Sequence, residues 1–147
     1  IDKGAKVLVG GKRNPNFEGL YFEPTVLTEV THEMKIMKDE TFGPIISIMK
    51  VSSEEEALML ANQSHYGLNG NVWTKDLIKG KKLAQSIETG ACSVNDMAMS
   101  YGVNEVPFGG VKESGLGVVW RGGLTSVCSC HANYHWKEIS ICISLYR

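Results

Sequence analysis

The sequence predicts an α/β chain with an incomplete, partly parallel sheet and flanking helices. Three observations carry that expectation. Short apolar runs and helical segments alternate as strand, helix, strand, helix, strand between Ile45 and Val94. Each helical segment has a capping signal of its own. The composition, 43% hydrophobic and 21% charged over 147 residues, suits a chain that buries a core and fits one domain of ordinary size.

The elements follow in order. Lys6 to Gly11 (KVLVGG) is an apolar run closed by a glycine pair, expected as a buried strand entering a turn. Asn14-Pro15-Asn16 and Gly19 form a loop, and Leu20 to Val30 returns as a second strand. Pro24 interrupts that strand, so it lies at an edge or bends there. Ile45 to Val51 (IISIMKV) is the third extended run. Ser52 and Ser53 each have a glutamate three residues on, Glu55 and Glu56, which is the spacing of a capping box. The acidic residues 54 to 56 complement the positive end of the helix dipole. Ala57, Leu60 and Ala61 are the expected buried stripe of this helix, and Gly67 its stop. Asn71 to Thr74 reads as a strand. Asp76 caps a second helix whose Leu83, Ala84 and Ile87 share a face and which Gly90 ends. Ala91 to Val94 is the next strand. The character changes after Gly117: Val118 to Arg147 holds three of the four cysteines and almost no acid. Ile139 to Leu145 alternates as a final strand would.

Composition also excludes. Collagen-like, disordered and disulfide-dense classes do not fit these proportions. Fifteen basic residues against sixteen acidic give a net charge of -1, so no electrostatic footprint for nucleic acid is present. No apolar run approaches the roughly 18 residues of a membrane-spanning helix, so no membrane is expected as a partner. Four cysteines are too few for a secreted staple framework, which points to a reducing, cytoplasmic setting. Residue 1 is Ile and no signal-peptide layout follows it, so the sequence is expected to begin inside a longer protein.

Two motifs bear on chemistry. Glu40-Thr41-Phe42-Gly43-Pro44 sets a carboxylate, an aromatic ring and a Gly-Pro turn within five residues. Such a carboxylate can accept hydrogen bonds from two adjacent ribose hydroxyls, as acidic residues do in dinucleotide sites. Taken alone, the pentapeptide more readily reads as a surface glutamate beside a core phenylalanine. The second motif is Asn95 followed by the glycine-rich stretch Val106 to Gly117. Its spacing is wrong for G-x-G-x-x-G, no acidic partner lies about 20 residues beyond, and no G-K-[ST] follows. It suits a close-packed backbone crossing.

Together the motifs resemble the C-terminal part of the aldehyde dehydrogenase superfamily. The matching stretches are Gly10-Gly11, Phe22-Glu23-Pro24-Thr25-Val26-Leu27, Met34, Glu40-Thr41-Phe42-Gly43-Pro44, Ala61-Asn62 and Tyr66-Gly67-Leu68. Val72-Trp73-Thr74, Gly90, Val94-Asn95, Pro107-Phe108-Gly109-Gly110 and Ser114-Gly115 continue them in the family's order. The resemblance implies residues 1–117 as part of a three-layer catalytic domain, with 118–147 a divergent tail. It implies NAD or NADP as cofactor, a small aldehyde as substrate and oxidation to a carboxylic acid, in a complete protein that is a homo-oligomer. By the family's motif, Glu40 matches the glutamate that holds the nicotinamide ribose hydroxyls and Phe42 the aromatic residue beside the nicotinamide. The loop from Met97 to Asn104 matches a region near the aldehyde entrance. Thr41, where many relatives carry an aliphatic residue, points to the semialdehyde-using branch.

In the family a cysteine thiolate attacks the aldehyde, hydride passes to the nicotinamide, and a glutamate-activated water hydrolyses the thioester. The family's nucleophile, its general base and its dinucleotide-binding domain lie upstream of Glu40. None of the four cysteines matches the nucleophile, and Cys92 reads as a buried, inert thiol. The chain alone is therefore expected to be inactive. The tail's apolar run fits the family's terminal strand, which often pairs across a subunit interface, and fits equally an end whose reading frame has changed. Two rivals remain in the sequence: a non-catalytic interaction or oligomerisation module, and a metal site from Cys128, Cys130, His131 and His135, whose spacing is crowded for zinc. His32 and His65 read as ordinary surface residues.

Overall fold

A computed structural model of the chain describes residues 1–97, 109–115, 127–129 and 140–144. It divides into two compact units, Ile1–Val51 and Ser52–Arg147.

The first unit holds β1 (Lys6–Val9), β2 (Thr25–Thr28), β3 (Ile45–Ser47) and the single-turn helix α1 (Lys35–Lys38). The strand order is β1-β2-β3, with β1 antiparallel and β3 parallel to β2. Two expectations are corrected here. The first strand is not buried: Leu8 and Val9 are exposed. The second does not lie at an edge, because β2 begins one residue after Pro24 and takes the centre of the sheet. Proline placed just ahead of the first paired residue removes no ladder hydrogen bond, so a central strand can follow it. Upstream of Pro24 the pairing loosens into an arm, in which the Asn14 amide donates to the Tyr21 carbonyl and Glu23 to Lys12, both at 3.0 Å. Gly10 has φ +74°, and a Cβ there would overlap the Pro24 carbonyl oxygen, so only glycine fits this turn. β3 stops at Ser47, short of the expected Val51. Ala5, Val30 and Met34 form a small core, backed by Leu27, Ile36, Met37 and Met49.

The second unit contains α2 (Glu54–Asn62), β4 (Tyr66–Gly67), β5 (Asn69–Trp73), α3 (Leu77–Ser86), β6 (Ala91–Val94), β7 (Val111–Lys112), β8 (Val127–Ser129) and β9 (Ser140–Ser144). Its main sheet runs β8-β6-β5-β9, with β5, β6 and β8 parallel and β9 antiparallel to β5. The expected final strand therefore pairs with β5 of the same chain. β4 and β7 form a separate antiparallel ribbon.

Capping goes largely as the sequence predicts. The Ser53 hydroxyl accepts from the Glu56 amide at 3.1 Å, while Glu56 reaches back to the Ser52 amide at 2.7 Å. Asp76 accepts from the Lys79 amide at 3.0 Å and starts α3. Leu83, Ala84 and Ile87 are buried with Val72, Cys92 and Val94, as their shared face requires. The stripe predicted for α2 is only half-buried, and Leu58 is the side chain that packs on this core. Neither predicted glycine stop acts as one. α2 ends at Asn62, and Gly67 lies in β4, where a Cβ would come within 2.8 Å of the Glu88 carbonyl oxygen. α3 ends at Ser86, and Gly90 instead admits the Gly109 backbone, whose carbonyl oxygen a Cβ would overlap. That contact is the close backbone crossing expected of the glycine-rich stretch.

Candidate functional site

The Glu40–Pro44 corner is built on the start of β3. The Pro44 carbonyl accepts from the Thr25 amide of β2 at 2.8 Å, which fixes the corner to the centre of the sheet. Within it the Gly43 amide donates to the Thr41 carbonyl at 3.0 Å and the Ile45 amide to the Gly43 carbonyl at 2.9 Å. These two tight turns leave the Phe42 ring 91% exposed. Phe42 is therefore not a core residue, which corrects that part of the blander interpretation of the pentapeptide. Glu40 beside it is half-buried. A Cβ on Gly43 would meet nothing nearer than the Thr41 methyl at 4.0 Å, so the space over this turn is open. A partly sheltered carboxylate, a bare aromatic face and an open glycine turn can receive a ligand that carries paired hydroxyls and a flat ring.

A second feature lies at the carboxyl ends of the parallel strands, where open α/β sheets bind ligands. Asn95, just past β6, has φ +59°, in the left-handed region that Asn tolerates better than most residues. Its side chain pairs with Thr74 at the end of β5. The Thr74 amide donates to Asn95 Oδ1, and Asn95 Nδ2 donates to the Thr74 carbonyl, both at 2.8 Å. With its amide suitably oriented, Asn71 donates to the carbonyls of Gly70 (3.2 Å) and Asp96 (2.6 Å). The loop expected near an aldehyde entrance starts from this clamp. Its Met97 is exposed, and the remainder, to Asn104, lies outside the described residues.

A third arrangement had no sequence signal that assigned it a role. Lys112 Nζ donates to the carbonyls of Asn62 (2.7 Å) and Ser64 (2.9 Å), and lies 3.0 Å from a Glu88 carboxylate oxygen. Asn62 in turn accepts from the Glu88 amide at 2.9 Å and donates to the Ser86 carbonyl at 2.8 Å. A cation at carbonyls left over by a helix C-terminus is favourable there. The Gly67 amide completes the tie by donating to the Ser114 hydroxyl at 3.2 Å.

Cys92 is 4% exposed, and burial pushes its thiol up to about 12, far from the range of a reactive thiolate. Among the described residues no three His, Cys, Asp or Glu gather into a metal-binding group. Of the Cys/His tail, Cys130, His131 and His135 lie outside the described residues, and Cys128 falls in β8. His65 is exposed and packs its ring 4.6 Å from Tyr66. His32 is half-buried, with Nδ1 enclosed and without a hydrogen-bond partner. No helix among the described residues is long and apolar enough to cross a membrane.

The described residues define a portion of an α/β protein with an exposed corner at the start of one strand and an asparagine clamp at the ends of two others. Comparison with known proteins gives the family. The model of the aldehyde dehydrogenase family matches residues 1–134, and the chain belongs to that family. It is 44% identical over 117 residues to a succinate-semialdehyde dehydrogenase [NADP(+)] from Deinococcus radiodurans, a match covering 80% of this chain and 24% of the relative. A 4,4'-diapolycopene aldehyde oxidase from Methylomonas is 45% identical over 100 residues, covering 68% of this chain and 19% of the relative. Among solved structures, the aldehyde dehydrogenase of Mycobacterium tuberculosis complexed with NAD+ superposes with a TM-score of 0.74 at 42% identity. That match covers 80% of this chain and 24% of the other. The chain thus spans about a fifth to a quarter of the length of these relatives.

Proposed function

We propose that this chain forms part of the cofactor wall of an NAD- or NADP-dependent enzyme that oxidises an aldehyde to a carboxylic acid. The reaction proceeds through a thiohemiacetal and a thioester on a cysteine outside these 147 residues. The observation that carries this reading is the exposed Glu40–Pro44 corner in a chain that belongs to the aldehyde dehydrogenase family. When bound, the nicotinamide cofactor supplies the hydride acceptor. Glu40 would accept hydrogen bonds from the ribose hydroxyls, and Phe42 would offer its ring beside the nicotinamide. The named cofactors of the Deinococcus and Mycobacterium relatives support this assignment. Thr41 and the Deinococcus relative support a semialdehyde as substrate. The high thiol pKa of Cys92 supports a nucleophile from elsewhere. A homo-oligomeric, cytoplasmic complete protein completes the proposal.

The test is Glu40→Gln in the protein expressed with all coding sequence contiguous with the chain. Loss of the ribose contact is expected to lower aldehyde-dependent formation of reduced cofactor roughly tenfold or more, with a melting temperature within about 2 °C of the parent. Unchanged steady-state and single-turnover rates would remove the assignment. Turnover by the 147-residue chain alone would overturn the location of the nucleophile.

A further inference from the structure

Four polar residues are buried among the described ones, and Thr25, 4% exposed, is the one that belongs to the first unit. It stands where the three strands of that unit meet. It opens β2, it is in register with Ile45 at the start of β3, and the turn that follows β1 packs against it. A threonine hydroxyl has one donor and two acceptor positions. Here the hydroxyl donates to the Glu23 carbonyl at 2.8 Å and accepts from the Gly11 amide at 2.8 Å. Gly10 leaves room for this arrangement, since a Cβ there would lie 2.7 Å from the Thr25 hydroxyl oxygen. Held by two backbone segments at once, the side chain is confined to one rotamer and ties its own backbone to theirs. The amide so placed is the one that donates to the Pro44 carbonyl at 2.8 Å. Its upstream neighbours cannot substitute for it: Pro24 has no N–H, and the Glu23 amide donates to the Lys12 carbonyl at 3.0 Å. Core volume does not call for a threonine here. Valine has nearly the same branched shape and would bury no polar atom.

We infer that Thr25 is a positioning residue for the Glu40–Pro44 corner: its hydroxyl, held by Gly11 and Glu23, aims the backbone amide that anchors Pro44. The inference rests on the cofactor role proposed above for that corner. The two tight turns between Thr41 and Ile45 join the anchor to Glu40 and Phe42, so a displaced anchor displaces the carboxylate and the ring. Misplacing a contact group by about 1 Å can cost about a hundredfold in rate. Because the corner is assigned to the cofactor and not to the aldehyde, the loss belongs to cofactor binding.

The experiment uses the protein expressed with all coding sequence contiguous with the chain. It reads the dissociation constants of NAD+ and NADP+ by calorimetry and the KM for aldehyde. Thr25→Val keeps the branched shape and deletes the hydroxyl, whereas Thr25→Ser keeps the hydroxyl and deletes the methyl. Thr25→Val is expected to weaken cofactor binding roughly fivefold or more with the aldehyde KM within about twofold, and Thr25→Ser to leave both within about twofold of the parent. Both variants lower the melting temperature by a few degrees, so stability alone does not discriminate. Cofactor binding weakened alike by both variants, or by neither, would overturn the inference, as would an equal rise in the aldehyde KM. Thr25→Cys, with a thiol that is only a weak donor and acceptor, takes the place of the valine variant if that one does not fold, with the same outcomes. Glu40→Gln measured alongside keeps the two claims apart. If it leaves cofactor binding unchanged, the cofactor role of the corner fails and the inference with it. If it weakens binding while Thr25→Val does not, the corner keeps its role and the positioning by Thr25 alone fails.

Discussion

At the scale of single residues, chemistry in this chain is decided by what surrounds each group. Cys92 and Phe42 are opposite cases. Cys92 is enclosed by Val72, Leu83, Ala84 and Ile87, and burial holds its thiol protonated up to about 12. Phe42, a side chain that usually fills a core, is left bare by two consecutive tight turns. The consequence for Cys92 can be measured. Its proton is bound more tightly in the folded state than in the unfolded chain, whose thiol titrates near 8.5. Between those two values the native state binds more protons than the unfolded state, so stability falls as pH rises, by at most about 1.4 kcal/mol per pH unit. Below the lower value the contribution is fully present. Urea unfolding of the parent and Cys92→Ala at a series of pH values from neutral to strongly alkaline is expected to show a steeper decline in the parent. Parallel curves would contradict this burial.

At the scale of elements, local signals were legible wherever one element decides its own end. The capping box at Ser53, the Asp76 cap and the Leu83-Ala84-Ile87 face were all readable and are all present. What the sequence does not carry is which other chain segment passes nearby. Gly67 and Gly90 look like helix stops, yet each is glycine because a distant backbone or side chain crosses it, namely Glu88 and Val111 at one and Gly109 at the other. Pro24 looks like an edge marker, yet it sits one residue outside the ladder. The short helix α1 has no side-chain cap, and nothing in its sequence announced it. Glu40 and Phe42 could be singled out from the sequence because they fall within one five-residue motif. The Lys112 tie was missed because its partners lie 48 and 50 residues away. That tie yields a prediction at this scale. Lys112→Met keeps the aliphatic stem but leaves the carbonyls of Asn62 and Ser64 without the ammonium. It is expected to cost about 0.5–1.5 kcal/mol in urea unfolding, more than the few tenths of a kilocalorie typical of an exposed salt bridge. A change under about 0.5 kcal/mol would reduce the tie to a surface ion pair.

At the scale of the whole molecule, the two units differ in how much core each possesses. Among the described residues the first has three buried apolar side chains and the second seven, six of which pack together between α3 and the main sheet. Buried apolar area is the main term opposing chain entropy, so the first unit holds its structure with much less. The sequence supplies a clean reporter for this difference. All three tryptophans, Trp73, Trp120 and Trp136, belong to the second unit, and the first has only Tyr21 and its phenylalanines as aromatic chromophores. Tryptophan fluorescence during urea unfolding therefore follows the second unit alone, whereas amide exchange at β1, β2 and β3 follows the first. The exchange protection of those three strands is expected to vanish at lower urea than the tryptophan transition, so the two probes do not coincide. Coincident transitions would contradict the smaller core as the cause of a weaker first unit.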